Sequence, residues 1–344
     1  MLSSVLQEYG FVEKNVSAIP FGTGLINHTW KVITDEKAYI LQRINDAVFK
    51  NPPDIAHNIR LLADHLAKHH PDYLFVSPVM ATNGNDMVFI PGEGYFRLFP
   101  FIKGSHTVDA VHTAVQAYEA ARQFGRFTKN IAGIRIEDCK TTIPGFHDLT
   151  LRHHQFDDAL KIGNKARISG LNEVIRIVSA HTDILDVYEK IKTDPAFRLR
   201  IMHHDTKISN VLFDENNKGL CVIDLDTIMP GYFISDAGDM LRTYLSAANE
   251  EESDFDKMEV REDVYRAIWQ GYMEEMQDEL SDTEKKHFFY AGLFMVYMQA
   301  LRFLTDYLND DMYYGEKYPG HNLVRAKNQL ALLVKLREKK KMWC

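Results

Sequence analysis

The amino-acid order specifies an α+β chain in two lobes, and three features carry that reading. Strand patterns crowd residues 1–100, helical patterns fill most of 101–344, and a short hinge at 99–104 lies where one character gives way to the other. The first lobe reads as an antiparallel sheet with one helix, and the second as a largely helical body.

Residues 16–21 open the sheet and run into the turn Gly22-Thr23-Gly24. A β-rich run resumes over 28–34, Asp35-Glu36-Lys37 turns the chain, and 39–44 is strand-like again, which makes a meander. Residues 54–69 carry Ile55, Ile59, Leu62 and Leu66 at the spacing of one helix face. Two more strands, 87–90 and 95–99, flank the turn Pro91-Gly92-Glu93-Gly94. Beyond the hinge, 111–127 and 172–192 each read as a helix. Short strands follow at 199–202, 211–214 and 220–223, the last two joined by Asn216-Asn217-Lys218-Gly219, whose residue types favour a hairpin turn. From Asp239 onward the pattern is helical. Val264, Tyr265, Ile268, Trp269, Tyr272, Met273 and Met276 form a broad apolar stripe, and 287–308 is apolar through Met298, as a core helix would be.

Composition narrows the function. Hydrophobic residues make up 45% and charged residues 26% of 344, the profile of a globular chain. A net charge of -8 offers no electrostatic footprint for nucleic acid, so any nucleotide bound is expected to be free. The run Lys339-Lys340-Lys341 reads as a solvated helix end. Cys139, Cys221 and Cys344 lie far apart with no CxxC spacing, as free thiols in a reducing compartment would. Residues 1–10 lack the pattern of a signal peptide, and the apolar run 288–298 is too short to cross a bilayer. A cytoplasmic protein with no nucleic-acid or membrane partner is expected; the sequence carries no mark of an oligomeric state.

Chemistry concentrates in Met202-His203-His204-Asp205-Thr206-Lys207-Ile208-Ser209-Asn210-Val211-Leu212, followed after the hairpin by Val222-Ile223-Asp224-Leu225-Asp226. Phosphoryl transfer needs a carboxylate to orient the attacking hydroxyl, a cation to steady the transferred group, and oxygen ligands to hold magnesium on the phosphates. That set is present at tight spacing. His-x-Asp-x-Lys-x-x-Asn, then an apolar strand ending in Asp, is the pattern of a kinase catalytic loop and its metal-binding strand. Asp205 is the candidate base, Lys207 the γ-phosphate contact, and Asn210 and Asp224 the magnesium ligands. Asp226 is either a second metal ligand or a lining residue.

These motifs resemble those of the aminoglycoside phosphotransferase and choline kinase superfamily, and within it the N-acetylhexosamine 1-kinases. The resemblance spans FGTGLINHTWKV, YILQRINDAVFKNP, RLFPFIKG, HHDTKISNVLFD, CVIDLDTIMPG and RFLTDYLNDDMYYGEKYPGHNLVRAKNQ. It implies a protein-kinase-like bilobal fold, ATP and Mg2+ as cofactors, and a small-molecule sugar as substrate. His204 departs from the superfamily, which usually carries a small or amide residue there, and neither chemistry nor metal calls for its side chain.

Gly22-Thr23-Gly24 between two strands can bring backbone N–H groups to phosphates, although Asn27 stands where protein kinases complete GxGxxG. Residues 39–44 contain no lysine, so Arg43 is the candidate phosphate cation; whether its face or that of Gln42 looks toward the nucleotide stays open. Phe101 and Ile102, in the hinge, complete the nucleotide-binding candidates. The resemblance gives an acidic residue near Asp236 and Asp239 the task of holding the catalytic loop or capping the next helix. Gly238-Asp239 suits an N-cap. His203 reads as a brace for the loop.

On the substrate side, Gln299, Arg302 and Asp306 share one face of an otherwise apolar helix, forming either an internal network or a polar cavity wall. The resemblance places sugar contacts there. Arg302 leads, followed by Tyr313 and Tyr318, with His28 reaching from the first lobe. The expected reaction transfers the ATP γ-phosphate to the anomeric hydroxyl of an N-acetylhexosamine. The alternatives are an amino-alcohol or aminoglycoside kinase, for which Asp306, Asp310 and Asp311 could bind the cation, and a pseudokinase-like nucleotide-binding module.

Overall fold

The computed structural model describes residues 2–11, 16–22 and 27–339; Thr23, Gly24, Lys340, Lys341 and Cys344 lie outside them. The elements run α1 (Leu2–Glu8), β1 (Val16–Pro20), β2 (His28–Thr34), β3 (Ala38–Arg43), α2 (Pro52–His69), β4 (Val88–Ile90), β5 (Gly94–Pro100), α3 (Ala114–Asn130), α4 (Leu149–Ile162), α5 (Lys165–Ser169), α6 (Asn172–Ser179) and α7 (Asp183–Thr193). Then come β6 (Arg200–Met202), β7 (Val211–Phe213), β8 (Gly219–Val222), β9 (Met229–Gly231), α8 (Ile234–Tyr244), α9 (Glu262–Met276), α10 (Asp282–Lys286), α11 (Phe288–Leu308) and α12 (His321–Glu338).

The chain forms two compact units, and they do not divide at residue 100 as expected. The first comprises 1–106, 130–144 and 212–230; the second comprises 107–129, 145–211 and 231–344. The reason is local. Asn58 on α2 donates to the carbonyls of Lys140 and Ile228 and accepts from the Lys140 N–H, which ties both later segments to the first unit. The β7–β8 hairpin joins them through a bridge between His106 and Phe213.

In the first unit, the predicted meander is a five-stranded antiparallel sheet in the order β1-β2-β3-β5-β4. Leu41, Phe96, Leu98 and Val32 on one face pack with Val5 and Leu6 of α1, a helix the sequence reading passed over, and with Tyr9 just after it. Period-two alternation sends Gln42 and its cross-strand partner Arg97 to the opposite face.

The second unit is built around α11, whose residues from Phe288 to Leu308 are mostly buried against α8, α12 and α4. It is longer than the apolar run alone and matches a membrane span in length and composition, but 89% of that window is buried in the protein. Gly238 on α8 lets the helices meet, because a Cβ there would stand 2.4 Å from the Ala291 carbonyl oxygen. Two expectations change here. Residues 172–192 form two helices, α6 and α7, broken where the His181 ring takes the Ile177 carbonyl. Helix α8 begins at Ile234, so Asp239 lies inside it and is no N-cap.

Candidate active site

In the second unit, residues 203–207 leave β6 without regular structure and enter a short 3-10 turn, Ile208–Asn210. Two carboxylates of α8 hold this loop by its backbone. Asp236 accepts from the N–H groups of His203 (3.0 Å) and His204 (2.8 Å), and Asp239 accepts from that of Thr206 (2.8 Å). The Tyr244 hydroxyl donates to the Thr206 carbonyl at 2.6 Å. His203 is buried edge-on to the rings of Phe124 and Phe127, which fits its expected role as a brace. Within this frame Lys207 Nζ stands 3.0 Å from Asp205 Oδ1, and Asn210 Nδ2 donates to the Asp205 carbonyl at 2.8 Å.

The charges are set by this packing. Burial pushes the Asp205 carboxyl up, but the charge and hydrogen bond of Lys207 outweigh it, and the group lies below the usual carboxylate range. Asp205 is therefore ionised at neutral pH. Lys207, half exposed, is held above its ordinary value by Asp205. Burial lifts Asp236 to about 7, against the two backbone N–H bonds it accepts and with the repulsion of Asp239 and Asp205 added. Asp239 is also raised by burial, although Arg242 donates to it twice.

His204 adopts a left-handed backbone (φ 65°), uncommon for a residue with a Cβ. Its ring lies over Gly231, where a Cβ would stand 2.4 Å from Nε2. The side chain that the chemistry did not call for thus fills the space left by that glycine.

From His204 the site continues toward α11. His147 lies 5.2 Å from the His204 ring and is half-buried; desolvation, then the charges around it, hold its imidazole well below the ordinary value. Phe146 stacks on His147 and lies 5.1 Å from the Arg302 guanidinium. Arg302 donates to Gln299 Oε1 at 3.1 Å and faces the Tyr314 ring, whose hydroxyl accepts from Gln299 Nε2. Arg152 donates to the Gly145 and Phe146 carbonyls, and its buried Nε has no hydrogen-bond partner. Neither Arg302 nor Arg152 has an ion pair among the described residues. The acidic residues nearby are engaged. Asp306 accepts from the N–H groups of Tyr313 and Tyr314 and from Asn322, Asp311 pairs with Arg167 and accepts from Asn322, and Asp310 accepts from Asn164.

In the first unit, Asp224 is exposed and left-handed (φ 62°) at the end of β8, and the turn Leu225–Thr227 follows it. Asp226 is buried: Oδ1 forms an ion pair with Arg97, and Oδ2 accepts from Asn27 at 2.7 Å. Arg97, 1% exposed, donates through Nε and Nη2 to Gln42 Oε1. The same sheet face carries Lys31, whose Nζ lies 3.7 Å from the Phe101 ring centroid, with Phe21 edge-on to that ring. The Ile102 carbonyl accepts from Ser105.

Asp205, Lys207 and Asn210 are thus brought together, and Arg302 is linked to them through Phe146, His147 and His204. The side-chain oxygen of Asn210 in the second unit and the exposed carboxylate of Asp224 in the first are each a hard donor of the kind magnesium takes beside phosphates and water. Among the described residues no three His, Cys, Asp or Glu side chains gather as a preformed metal cage. Four expectations shift. Arg43 lies on the face of Leu41 beside Gly94, away from Asp226, so the phosphate contact expected of it falls away. His28, expected to reach the sugar, is the cross-strand partner of Arg43, shares that face and lies near Trp30. Tyr313 and Tyr318 are exposed, and it is Tyr314 that meets Arg302. Asp226 is committed to an ion pair. Gly22 is left-handed (φ 79°), a conformation that glycine adopts without strain. The sequence reading left Gln42 open as the alternative to Arg43, and it missed Asn27, Lys31, Arg97, Phe146, His147, Arg152 and Tyr314, which carry no local pattern that marks them.

Residues 17–274, about three-quarters of the chain, match the model of the phosphotransferase enzyme family, APH, and the chain belongs to that family. Solved structures share the fold. A microcompartment-associated aminopropanol kinase aligns with TM-score 0.66 and 17% identity over 99% of this chain and 97% of its own. Spectinomycin phosphotransferase in complex with ADP and spectinomycin aligns at 0.60 and 14%, over 98% of both. A choline kinase from Streptococcus pneumoniae aligns at 0.59 and 15%, over 97% of this chain and 96% of its own.

Proposed function

We propose that this phosphotransferase uses magnesium-ATP to phosphorylate a neutral sugar, an N-acetylhexosamine, at its anomeric hydroxyl. The observation that carries the reading is the disposition of charge in the second unit. A cationic acceptor needs uncommitted carboxylates, and Asp306, Asp310 and Asp311 are all engaged by neighbouring groups. Arg302 and Arg152 instead have no ion pair among the described residues, and a guanidinium donates readily to hydroxyl and amide oxygens while repelling an amine. The choice of N-acetylhexosamine within the neutral acceptors rests on the resemblance noted above.

In this reading the acceptor hydroxyl passes its proton to Asp205 as its oxygen bonds to the γ-phosphorus, and the bond from that phosphorus to the β–γ bridging oxygen breaks to leave ADP. Asp205 is already ionised, and Lys207 stands beside it to steady the transferred group. Asn210 and Asp224 would hold magnesium, which supplies charge neutralisation on the phosphates. The Phe101–Ile102 segment would take the base.

The test is ADP release across N-acetylglucosamine, N-acetylgalactosamine, glucose, choline, aminopropanol, spectinomycin and kanamycin, with NMR of the product. Turnover of an N-acetylhexosamine to its 1-phosphate is expected. Clear turnover of an amine with none of the sugars would replace this reading by the amine-kinase one.

A further inference from the structure

In protein kinases a lysine on the third strand contacts the α- and β-phosphates and pairs with a glutamate on the helix that follows. Here β3 offers Gln42 on the face that carries Asp226, and α2 commits its buried Asn58 to backbone carbonyls. The cation has moved one strand over. Arg97 on β5 is buried, donates through Nε and Nη2 to Gln42 at 3.0 and 2.8 Å, and forms an ion pair with Asp226 on its Nη1 side. At 1% exposure its guanidinium is closed off from solvent and from a nucleotide that binds at the surface. Asp226 has both oxygens engaged, one by Arg97 and one by Asn27, while Asn27 Oδ1 accepts from the Asn45 N–H at 3.0 Å. Asn27 immediately precedes β2, and Asp226 stands two residues after Asp224, whose left-handed backbone must be held by its surroundings.

We propose that Arg97 is a positioning residue for nucleotide and metal: through its ion pair with Asp226 it fixes the left-handed Asp224 and, through Asn27, the start of β2, so that Asp226 is a strut and not a metal ligand. This rests on the magnesium-ATP reading but not on the identity of the acceptor. Planar bidentate donation suits arginine, because one guanidinium serves Gln42 and Asp226 together, which an ammonium cannot do in the same geometry. The residues that hold a metal ligand in place commonly matter almost as much as the ligand itself.

The test is calorimetric binding of magnesium-ATP, without acceptor, to wild type, Arg97→Gln, Asp226→Asn and the double variant, with melting temperatures alongside. Each single variant should weaken magnesium-ATP by about 10–100-fold. The double variant should be no weaker than the worse single one, since the two residues act as a unit. Binding of ATP in EDTA should change by less than the magnesium complex does. Arg97→Lys keeps the buried charge and serves if Arg97→Gln does not fold; it should lose a smaller factor. Two outcomes would overturn the proposal. One is folded variants with lowered melting temperatures but magnesium-ATP affinity within about twofold of wild type, an ordinary structural pair. The other is loss of magnesium dependence in Asp226→Asn alone, with Arg97→Gln unaffected, which would make Asp226 a ligand.

Discussion

Replacing Gly231 by alanine tests how the catalytic loop is positioned. The added Cβ would stand 2.4 Å from His204 Nε2 and 2.8 Å from Cε1. Ordinary contacts lie at about 3.5–4.0 Å, so something must move by roughly 1 Å. The ring has little room, since it is buried, faces His147 at 5.2 Å and has Nδ1 3.2 Å from the Met202 carbonyl. The strain should therefore pass to the loop backbone, where His204 already sits at φ 65° beside Asp205. Overpacking of this kind destabilises by about 1–3 kcal/mol, a fall of several degrees in melting temperature. Misplacement of a catalytic group by about 1 Å lowers turnover roughly a hundredfold. Steady-state kcat and thermal unfolding on the same preparation check both. His204→Gly should restore much of the loss in the double variant, because glycine accepts positive φ and removes the ring. Wild-type kcat and melting temperature in Gly231→Ala, or no recovery in the double variant, would refute the reasoning.

Other perturbations read other parts of the site. Asp205→Asn should lower kcat by about a hundredfold to ten-thousandfold while magnesium-ATP binding by calorimetry stays near wild type. Arg302→Ala should reduce kcat/KM for the sugar by roughly tenfold to a hundredfold, the loss of one or two charge-assisted hydrogen bonds, with the KM for ATP little changed. Asp236, lifted to about 7 by burial, keeps in the folded chain a proton that the unfolded chain releases near its ordinary value of about 4. Its contribution to stability therefore falls as pH rises between those values and is level above them. The melting-temperature advantage of wild type over Asp236→Asn should be larger at pH 5 than at pH 8; equal differences would show that the carboxyl titrates normally.

The order of chemical groups around the loop was legible because it is local. Asp205, Lys207 and Asn210 lie within six consecutive residues, and their contacts follow from a short turn. The sheet was legible for the same reason, since alternation and turn residues act over a few positions: β2 spans the stretch anticipated, and β1, β3, β4 and β5 lie within a residue or so of it. Helix α4 was not, because its apolar residues are sparse and its start rests on the Asp148 side chain accepting from the Leu151 N–H.

What sequence alone determined, then, is the class of reaction and the local group of side chains proposed to serve it, Asp205, Lys207 and Asn210, which are neighbours along the chain. What only the tertiary structure decided is which groups are already taken. Alternation put Arg43 and Gln42 on opposite faces, but only the arrival of Arg97 from β5 and Asp226 from a segment some 180 residues away says which face matters. Asp306 and Asp311 look available to a cation until Asn322, Arg167 and the Tyr313 and Tyr314 amides are seen to occupy them. A buried charge is defined by its partners, and partners distant in sequence meet only when the chain has packed.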